Sequence, residues 1–320
     1  MLILDEKTME ELAAPERIIP AVERAFRILR SGGYSMPARF SCESEGLTAL
    51  YMPCFTPEHF GTKALTLAPG NRALGLPSLD GVMLLNDRKT GRVCALMDAK
   101  PLTAWRTGAT GALGARLLSR ADAASLGIVG CGTQGLHQAV CICAVRKIGS
   151  VRLFSRHGVG EGFKSALAAR LGPGIELQEC RGVRELVEGS DIVVTTTFSN
   201  EPVLPDDAEL LRGRAYIAVG SYKPHMRELP DALIAAADRI AADLPYACEE
   251  SGDLALPIAS GLLRPERVEY LSGLLDAPPE LRPGETTVFK TVGMALVDLT
   301  VAAEFLSAVV KAGLGTEVQF

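Results

Sequence analysis

Apolar positions along the chain follow first a helical period, then an alternating one, then a regular exchange of the two. Ile18, Ile19, Val22, Phe26 and Leu29 recur at helical spacing after Pro15, and Ser31-Gly32-Gly33 supplies a stop, so an amphipathic helix is predicted near the start. From Arg39 to Leu96 the text is broken by Gly and Pro around β-suited runs, LTALYM, TKALTL, GVMLLN and VCALMD, which predict an antiparallel sheet or half-barrel. A helix rich in Ala, Thr and Gly is expected from about Leu102 to Leu118, and the pattern changes at Ala121 to Ser125. Strands are then predicted at Leu126–Val129, Val151–Phe154, Ile175–Leu177, Ile192–Thr195 and Tyr216–Val219, with helices at Thr133–Lys147, Gly160–Leu171 and between most of the rest. That alternation indicates a parallel, doubly wound sheet. Thr287 to Val310 is apolar at helical spacing (Val292, Leu296, Leu299, Phe305, Val309) and reads as a helix that can return to the first domain.

The fold class is therefore α/β: a Rossmann doubly wound parallel-sheet domain over residues 121–300, and a second α+β domain with an antiparallel sheet or half-barrel from residues 1–120 plus 301–320. A length of 320 residues agrees, since it exceeds what one hydrophobic core usually organises. Hydrophobic residues make up 48% against 22% charged, enough apolar surface to bury a full core without a disordered tail. The net charge of -5, with acids and bases interleaved, removes the electrostatic footprint needed to bind nucleic acid or an acidic membrane. No apolar run reaches the ~18 to 20 residues of a spanning helix, and MLILDEKTMEELAAPERI lacks the order of a signal peptide, so a cytoplasmic location is expected. The eight cysteines show no CxxC and no Cys/His spacing suited to zinc; they read as reduced, mostly buried residues, and no metal is expected. Cys141 and Cys143 sit two apart in a helix and point to different faces.

The segment LGIVGCGTQG sets Gly130, Gly132 and Gly135 in GxGxxG spacing, with Thr133 and Gln134 opening the helix that follows. The first glycine permits a tight turn, the second lets backbone approach a pyrophosphate, and the third lets helix pack on strand. The phosphates would meet a helix N-terminus, where N–H groups and the dipole favour an anion. Strand before, helix after and a second strand on time make this a dinucleotide site. At Ser155, twenty residues beyond Gly135, an NAD enzyme usually keeps an acid for the ribose hydroxyls. Ser155, Arg156 and His157 offer instead a hydroxyl and a guanidinium, groups suited to a 2'-phosphate, so NADP(H) is favoured with NAD(H) possible. A solvated, functionless Arg156 is the competing reading.

Arg39, Lys63 and Arg106 lie beside small or apolar neighbours in SMPARF, FGTKAL and LTAWRTGAT. A buried guanidinium needs an anion or a full set of acceptors. A clamp for a substrate carboxylate would supply one. By spacing alone a structural ion pair serves equally well.

The ordered set GTKALTL, LMDAKPLTAWRTGATGALGARLL, IVGCGTQG, AVGSYKPHMREL and TTVFKTVGMALVDL resembles the ornithine cyclodeaminase and mu-crystallin family over about Met36 to Thr300. The resemblance implies a homodimer built by the first domain, a C-terminal helix returning to it, and an active site in the cleft between domains. It implies that Arg39, Lys63 and Arg106 hold the substrate carboxylate. It places Thr107 and Asp298 near the cofactor, and Thr195 to Thr197 (Thr195 and Thr196 foremost) with Val219, Gly220 and Ser221 along the nicotinamide side. Two acids that take up the side-chain amine in ornithine cyclodeaminases are replaced by Leu50 and Tyr222. A buried ornithine ammonium would then lack a partner at a cost of several kcal/mol. Glu43, Glu45 and Glu228 are conceivable substitutes. The segment VGSYKPHMREL looks closer to ketimine reductases and the alanine dehydrogenase branch, with Tyr222 a substrate-binding residue and Lys223 added charge.

The resulting expectation is an NAD(P)H-dependent oxidoreductase that reduces C=N beside the carboxylate of Δ1-pyrroline-2-carboxylate or Δ1-piperideine-2-carboxylate. Lys63, if burial beside two arginines lowers its pKa, is the candidate acid or base, and Arg106 completes the catalytic pair. Tyr34, Met52, Phe60 and Tyr222 are candidate pocket walls. The alternatives are an alanine-type amino-acid dehydrogenase, a cyclodeaminase of the ammonia-lyase type, and a cofactor-bound protein without turnover.

Overall fold

The computed structural model describes residues 1–319 and, Arg72 apart, their side chains. The chain forms two compact units, Met1–Arg106 with the segment from Met294 onward, and Thr107–Gly293. The division falls at 106/107 and 293/294, whereas the sequence pattern changes near 120/121 and was expected to do so again at 300/301. Packing explains the first difference. In helix α3 (Ala99–Leu118) the residues from Thr107 onward pack within the second unit: a Cβ on Gly108 would lie 2.6 Å from the His137 carbonyl oxygen, and one on Gly114 would lie 2.2 Å from Phe289. The Ala/Gly-rich text of this helix is what allows so close an approach.

The first unit is a seven-stranded sheet. Its strands are β1 (Leu2–Leu4), β2 (Phe40–Ser44), β3 (Leu47–Phe55), β4 (His59–Leu67), β5 (Leu79–Asp87), β6 (Val93–Asp98) and a short strand Thr316–Glu317. The order runs from Thr316–Glu317 through β1, β6, β5, β4 and β3 to β2, with β1 and β6 parallel and all other pairs antiparallel. Alternation puts Met52, Cys54, Lys63, Leu65, Met83, Leu85, Ala95 and Met97 on the buried face. The C-terminal helix Ala295–Ala312 packs on β3 to β5 and on α2 (Pro15–Ser31). In the predicted amphipathic stripe of α2 Ile18, Ile19, Val22 and Phe26 are buried and Leu29 is half-buried, and Gly32, at φ 79, ends the helix in the left-handed region. Tyr51 and Val82, which alternate out of that buried face, stay exposed, as do Phe40, Leu47 and Val93.

The second unit holds an eight-stranded sheet in which every pair is parallel. In chain order its strands are β7 (Ser125–Val129), β8 (Ser150–Phe154), β9 (Glu176–Glu179), β10 (Ile192–Thr195), β11 (Ala215–Ala218), β12 (Arg239–Ala242), β13 (Val268–Tyr270) and β14 (Thr287–Lys290). They lie in the order β13-β12-β14-β11-β10-β7-β8-β9. The chain runs outward from β7 through β8 to β9, then returns to β10 on the other side. The carboxyl ends of β7 and β10 therefore flank a topological switch point, the usual ligand position in such sheets. The helices expected after β7 and β8 are α4 (Thr133–Val145) and α5 (Glu161–Leu171). One expectation is corrected: Thr287–Lys290 is a strand, not the start of the last helix. All four of its residues are buried, and a strand covered on both faces has no period to distinguish it from a helix.

Candidate functional site

Each glycine of the 130–135 turn has a distinct physical role. Gly130 has φ +106, and a Cβ there would crowd Thr196, while a Cβ on Gly135 would lie 2.2 Å from the Gly130 carbonyl oxygen. Gly132 has nothing within 4 Å of its Cβ position. It caps α4 with no side-chain bond to the first-turn N–H groups, so those donors and the helix dipole stay available to an anion. Thr133 beside it is exposed. The Gln134 Oε1 and Thr107 Oγ1 atoms are buried without a hydrogen-bond partner among the described residues. Open space at Gly132, an uncapped helix start and these two polar atoms fit a dinucleotide. Cys131 in the turn bonds the Phe154 carbonyl at 3.6 Å; burial pushes its thiol up to about 12, so it is not nucleophilic.

After β8, Ser155 is half-buried while Arg156 and His157 are exposed, and the Gly158 N–H closes a turn onto the Ser155 carbonyl. The nearby acid is Glu179 at the end of β9, which accepts from the Val159 N–H at 3.0 Å and pairs with Lys164 at 2.7 Å. It was not anticipated, because sheet order rather than spacing brings it there.

Thr195 ends β10 with Thr196 just after it, and Val219 to Ser221 follow β11. The Thr196 hydroxyl donates to the Gly130 carbonyl at 2.7 Å, and the Val219 N–H donates to the Thr195 carbonyl at 2.9 Å. The Ser221 hydroxyl is buried between the Met226 carbonyl and the Ser251 hydroxyl, so it faces the protein, not a ligand. Glu228, weighed from sequence only as a substitute acid, is fully buried and its carboxylate is occupied. Oε1 accepts from the Thr197 N–H at 2.6 Å and hydroxyl at 2.7 Å, and Oε2 from the Gly220 N–H at 2.6 Å and the Thr195 hydroxyl at 2.9 Å. Burial pushes its carboxyl up; the Lys290 charge and the Thr197 donors pull it back. Lys290 and Asp253, also fully buried, pair at 3.0 Å, and the other Asp253 oxygen accepts from the N–H groups of Glu228 and Leu229. Glu43 and Glu45, the other conceivable substitutes, are exposed on β2 and the turn after it.

In the first unit the structure brings Lys63, Arg106 and Asp298 together. Lys63, in the middle of β4, is fully buried and donates to Asp298 Oδ1 at 2.7 Å; Arg106 Nε lies 3.0 Å from the same oxygen. Asp298 sits in the first turn of the C-terminal helix, and its Oδ2 has no hydrogen-bond partner among the described residues. The ion pair left open by spacing thus exists, yet one carboxylate serves two cations. Arg39, half-buried, adds a third positive charge that is felt at Lys63. Burial lowers the Lys63 pKa, Asp298 opposes the fall and Arg106 and Arg39 add to it, and together they bring it to about 8. Cations gathered around one buried carboxylate suit a second, bound carboxylate. Leu50 is held in β3 between Ser41 and Leu65. Tyr222 meets Phe198 edge-on, with ring centroids 6.0 Å apart. Tyr34 and Phe60 are half-buried and Met52 is buried.

Among the described residues no helix is long and apolar enough to cross a membrane, and no group of His, Cys, Asp and Glu could hold a metal ion. The Delta(1)-pyrroline-2-carboxylate reductase of Bacillus thuringiensis subsp. konkukian is 31% identical over the full length of both chains. The structure of the Thermococcus litoralis Delta(1)-pyrroline-2-carboxylate reductase in complex with NADH and L-proline superposes with a TM-score of 0.92 at 31% identity, covering 99% of this chain and 100% of that one. An archaeal alanine dehydrogenase dimer with bound NAD gives a TM-score of 0.91 at 29% identity, covering 100% and 99%. Residues 1–311 match the model of the ornithine cyclodeaminase/mu-crystallin family, and the chain belongs to that family.

Proposed function

We propose that this protein is an NAD(P)H-dependent reductase of a cyclic imino acid, converting Δ1-pyrroline-2-carboxylate or Δ1-piperideine-2-carboxylate to proline or pipecolate. The observation that carries the reading is the buried group Lys63–Asp298–Arg106, in which two cations share one acid with Arg39 close by. The reductase structure that holds NADH and L-proline supports the substrate class. Residues 107–293 would carry the cofactor and the first unit would clamp the substrate.

Arg39, Lys63 and Arg106 hold the carboxylate and fix the imine carbon in one orientation, a positioning effect that can supply much of the rate enhancement. A bound dihydronicotinamide supplies the hydride that reduces this carbon. The imine nitrogen keeps its proton and becomes the amine; where the imine arrives neutral, the Lys63 ammonium is the donor. Gly130, Gly132, Thr133, Gln134 and Gly135 would hold the pyrophosphate. Thr107, Thr195, Thr196, Val219 and Gly220 would line the nicotinamide side, and Tyr222 the substrate. Ser155, Arg156 and His157 favour NADP(H), although the related structures hold NADH and NAD, so both forms belong in the test. The exposed apolar residues of the first sheet, Phe40, Leu47, Tyr51, Val82 and Val93, suit a homodimer. Eight free cysteines suit a reducing compartment such as the cytoplasm.

A second reading, reversible deamination of alanine, is favoured by the alanine dehydrogenase likeness. Ornithine cyclodeamination is disfavoured by Leu50 and Tyr222, and Glu228 has no bonding capacity left to replace the lost acids. Absorbance at the reduced-nicotinamide band separates the three. NADPH or NADH consumed with cyclic imino acids and no added ammonia supports the proposal. Consumption only with pyruvate plus ammonia supports the second reading, and ammonia released from ornithine with no net absorbance change supports the third.

A further inference from the structure

We infer that Glu228 is a positioning residue for cofactor binding: its buried carboxylate fastens the ends of β10 and β11 to one another and, through Thr196, to the glycine-rich turn after β7. The inference rests on the reading that a nicotinamide dinucleotide binds at that turn. Glu228 itself touches no cofactor atom in this scheme.

Both oxygens carry two bonds, each oxygen serving one backbone N–H and one hydroxyl. Thr195 and Thr197 are thereby held on either side of Thr196, whose hydroxyl grips the Gly130 carbonyl. Gly220 is part of the same fit, since a Cβ there would lie 2.1 Å from the Thr197 carbonyl oxygen and 2.5 Å from Glu228 Oε1. The carboxylate is fixed from behind as well, because Asp253 accepts the Glu228 and Leu229 N–H groups while paired with Lys290. Three segments that chain order separates, 130, 195–197 and 220, thus share one anchor at the switch point.

Glutamine at position 228 keeps the shape but presents an amide NH2 where a carboxylate oxygen was. The threonine hydroxyls can turn to accept; a backbone N–H cannot, so either Thr197 or Gly220 loses its acceptor. E228Q is expected to raise the NADPH or NADH dissociation constant about tenfold. At saturating cofactor the imino-acid KM should stay within about twofold, and the isotope effect from deuterated cofactor should increase as the nicotinamide loses its fixed placement. Thr196→Val removes the hydroxyl that reaches the Gly130 carbonyl and, at 3.5 Å, the Val129 carbonyl, and is expected to weaken cofactor binding about threefold. It serves as the test if E228Q does not fold. Binding is read by cofactor fluorescence titration, and folding by thermal melting. If wild-type protein binds neither cofactor form, the nicotinamide reading itself fails. If the wild type binds cofactor but a folded E228Q, or Thr196→Val where E228Q does not fold, leaves cofactor affinity and isotope effect unchanged, the inference is overturned and Glu228 is structural only.

Discussion

Two buried ionic groups, one in each unit, use the same residue types to opposite ends. Around Glu228, Asp253 and Lys290 every carboxylate oxygen is hydrogen-bonded: both Glu228 oxygens take two donors, and Asp253 uses one oxygen for backbone and one for Lys290. Around Lys63, Arg106 and Asp298 that is not so: both cations meet the one oxygen Asp298 Oδ1, and Asp298 Oδ2 has no hydrogen-bond partner among the described residues. Desolvating charge is costly in either place, and only full pairing offsets it. A saturated group is complete in the protein alone and holds backbone in place. In the proposed reading, the cations of the unsaturated group are completed by the substrate carboxylate.

The contrast makes its largest demand on stability. Lys290→Met leaves Asp253 and Glu228 buried without a counter-ion and is expected to cost about 3–5 kcal/mol, read as a lower midpoint in chemical denaturation. Arg106→Ala should instead spare the fold, because Asp298 keeps Lys63, and lower kcat/KM for imine reduction by roughly 100- to 1000-fold while cofactor titration stays near wild type. Wild-type kinetics in that variant would remove the carboxylate clamp.

The pH profile sharpens the same contrast. Lys63, at about 8, is an ammonium below that pH and neutral above it. If the ammonium binds carboxylate or donates a proton, kcat/KM falls tenfold per pH unit above about 8, and the inflection is absent from whatever activity Lys63→Met retains. A flat profile to pH 10 would separate Lys63 from the chemistry. The smallest effect is expected at Arg156, which is exposed: Arg156→Ala should weaken NADPH by about tenfold and leave NADH unchanged, measured by parallel titrations.

Much of the second unit was legible because its early strands are short apolar runs ended by turns, and because the glycine spacing falls between a strand and a helix. Three things were not. Thr287–Lys290 lies between β11 and β12 and is buried on all sides, so its apolar run carries no period. The partnership of Lys63 with Asp298 spans 235 positions, and no local pattern encodes it. Glu228, in the text MREL, looks like a surface acid until sheet order places it under two strand ends. The cations at 39, 63 and 106 were legible as chemistry; that a protein carboxylate already shares two of them was legible only as one of two equal options.

The path of the chain has a consequence for synthesis. Residues 107–293 leave the ribosome as one uninterrupted stretch containing every strand of the parallel sheet, so that unit can close as soon as it has emerged. The earlier-made sheet must wait for its covering helix, Ala295–Ala312, and until then Lys63 and Arg106 have no Asp298 to meet. The sheet translated before residue 107 is therefore completed after the parallel-sheet unit, and its charged centre is assembled only once residues 295–312 have emerged.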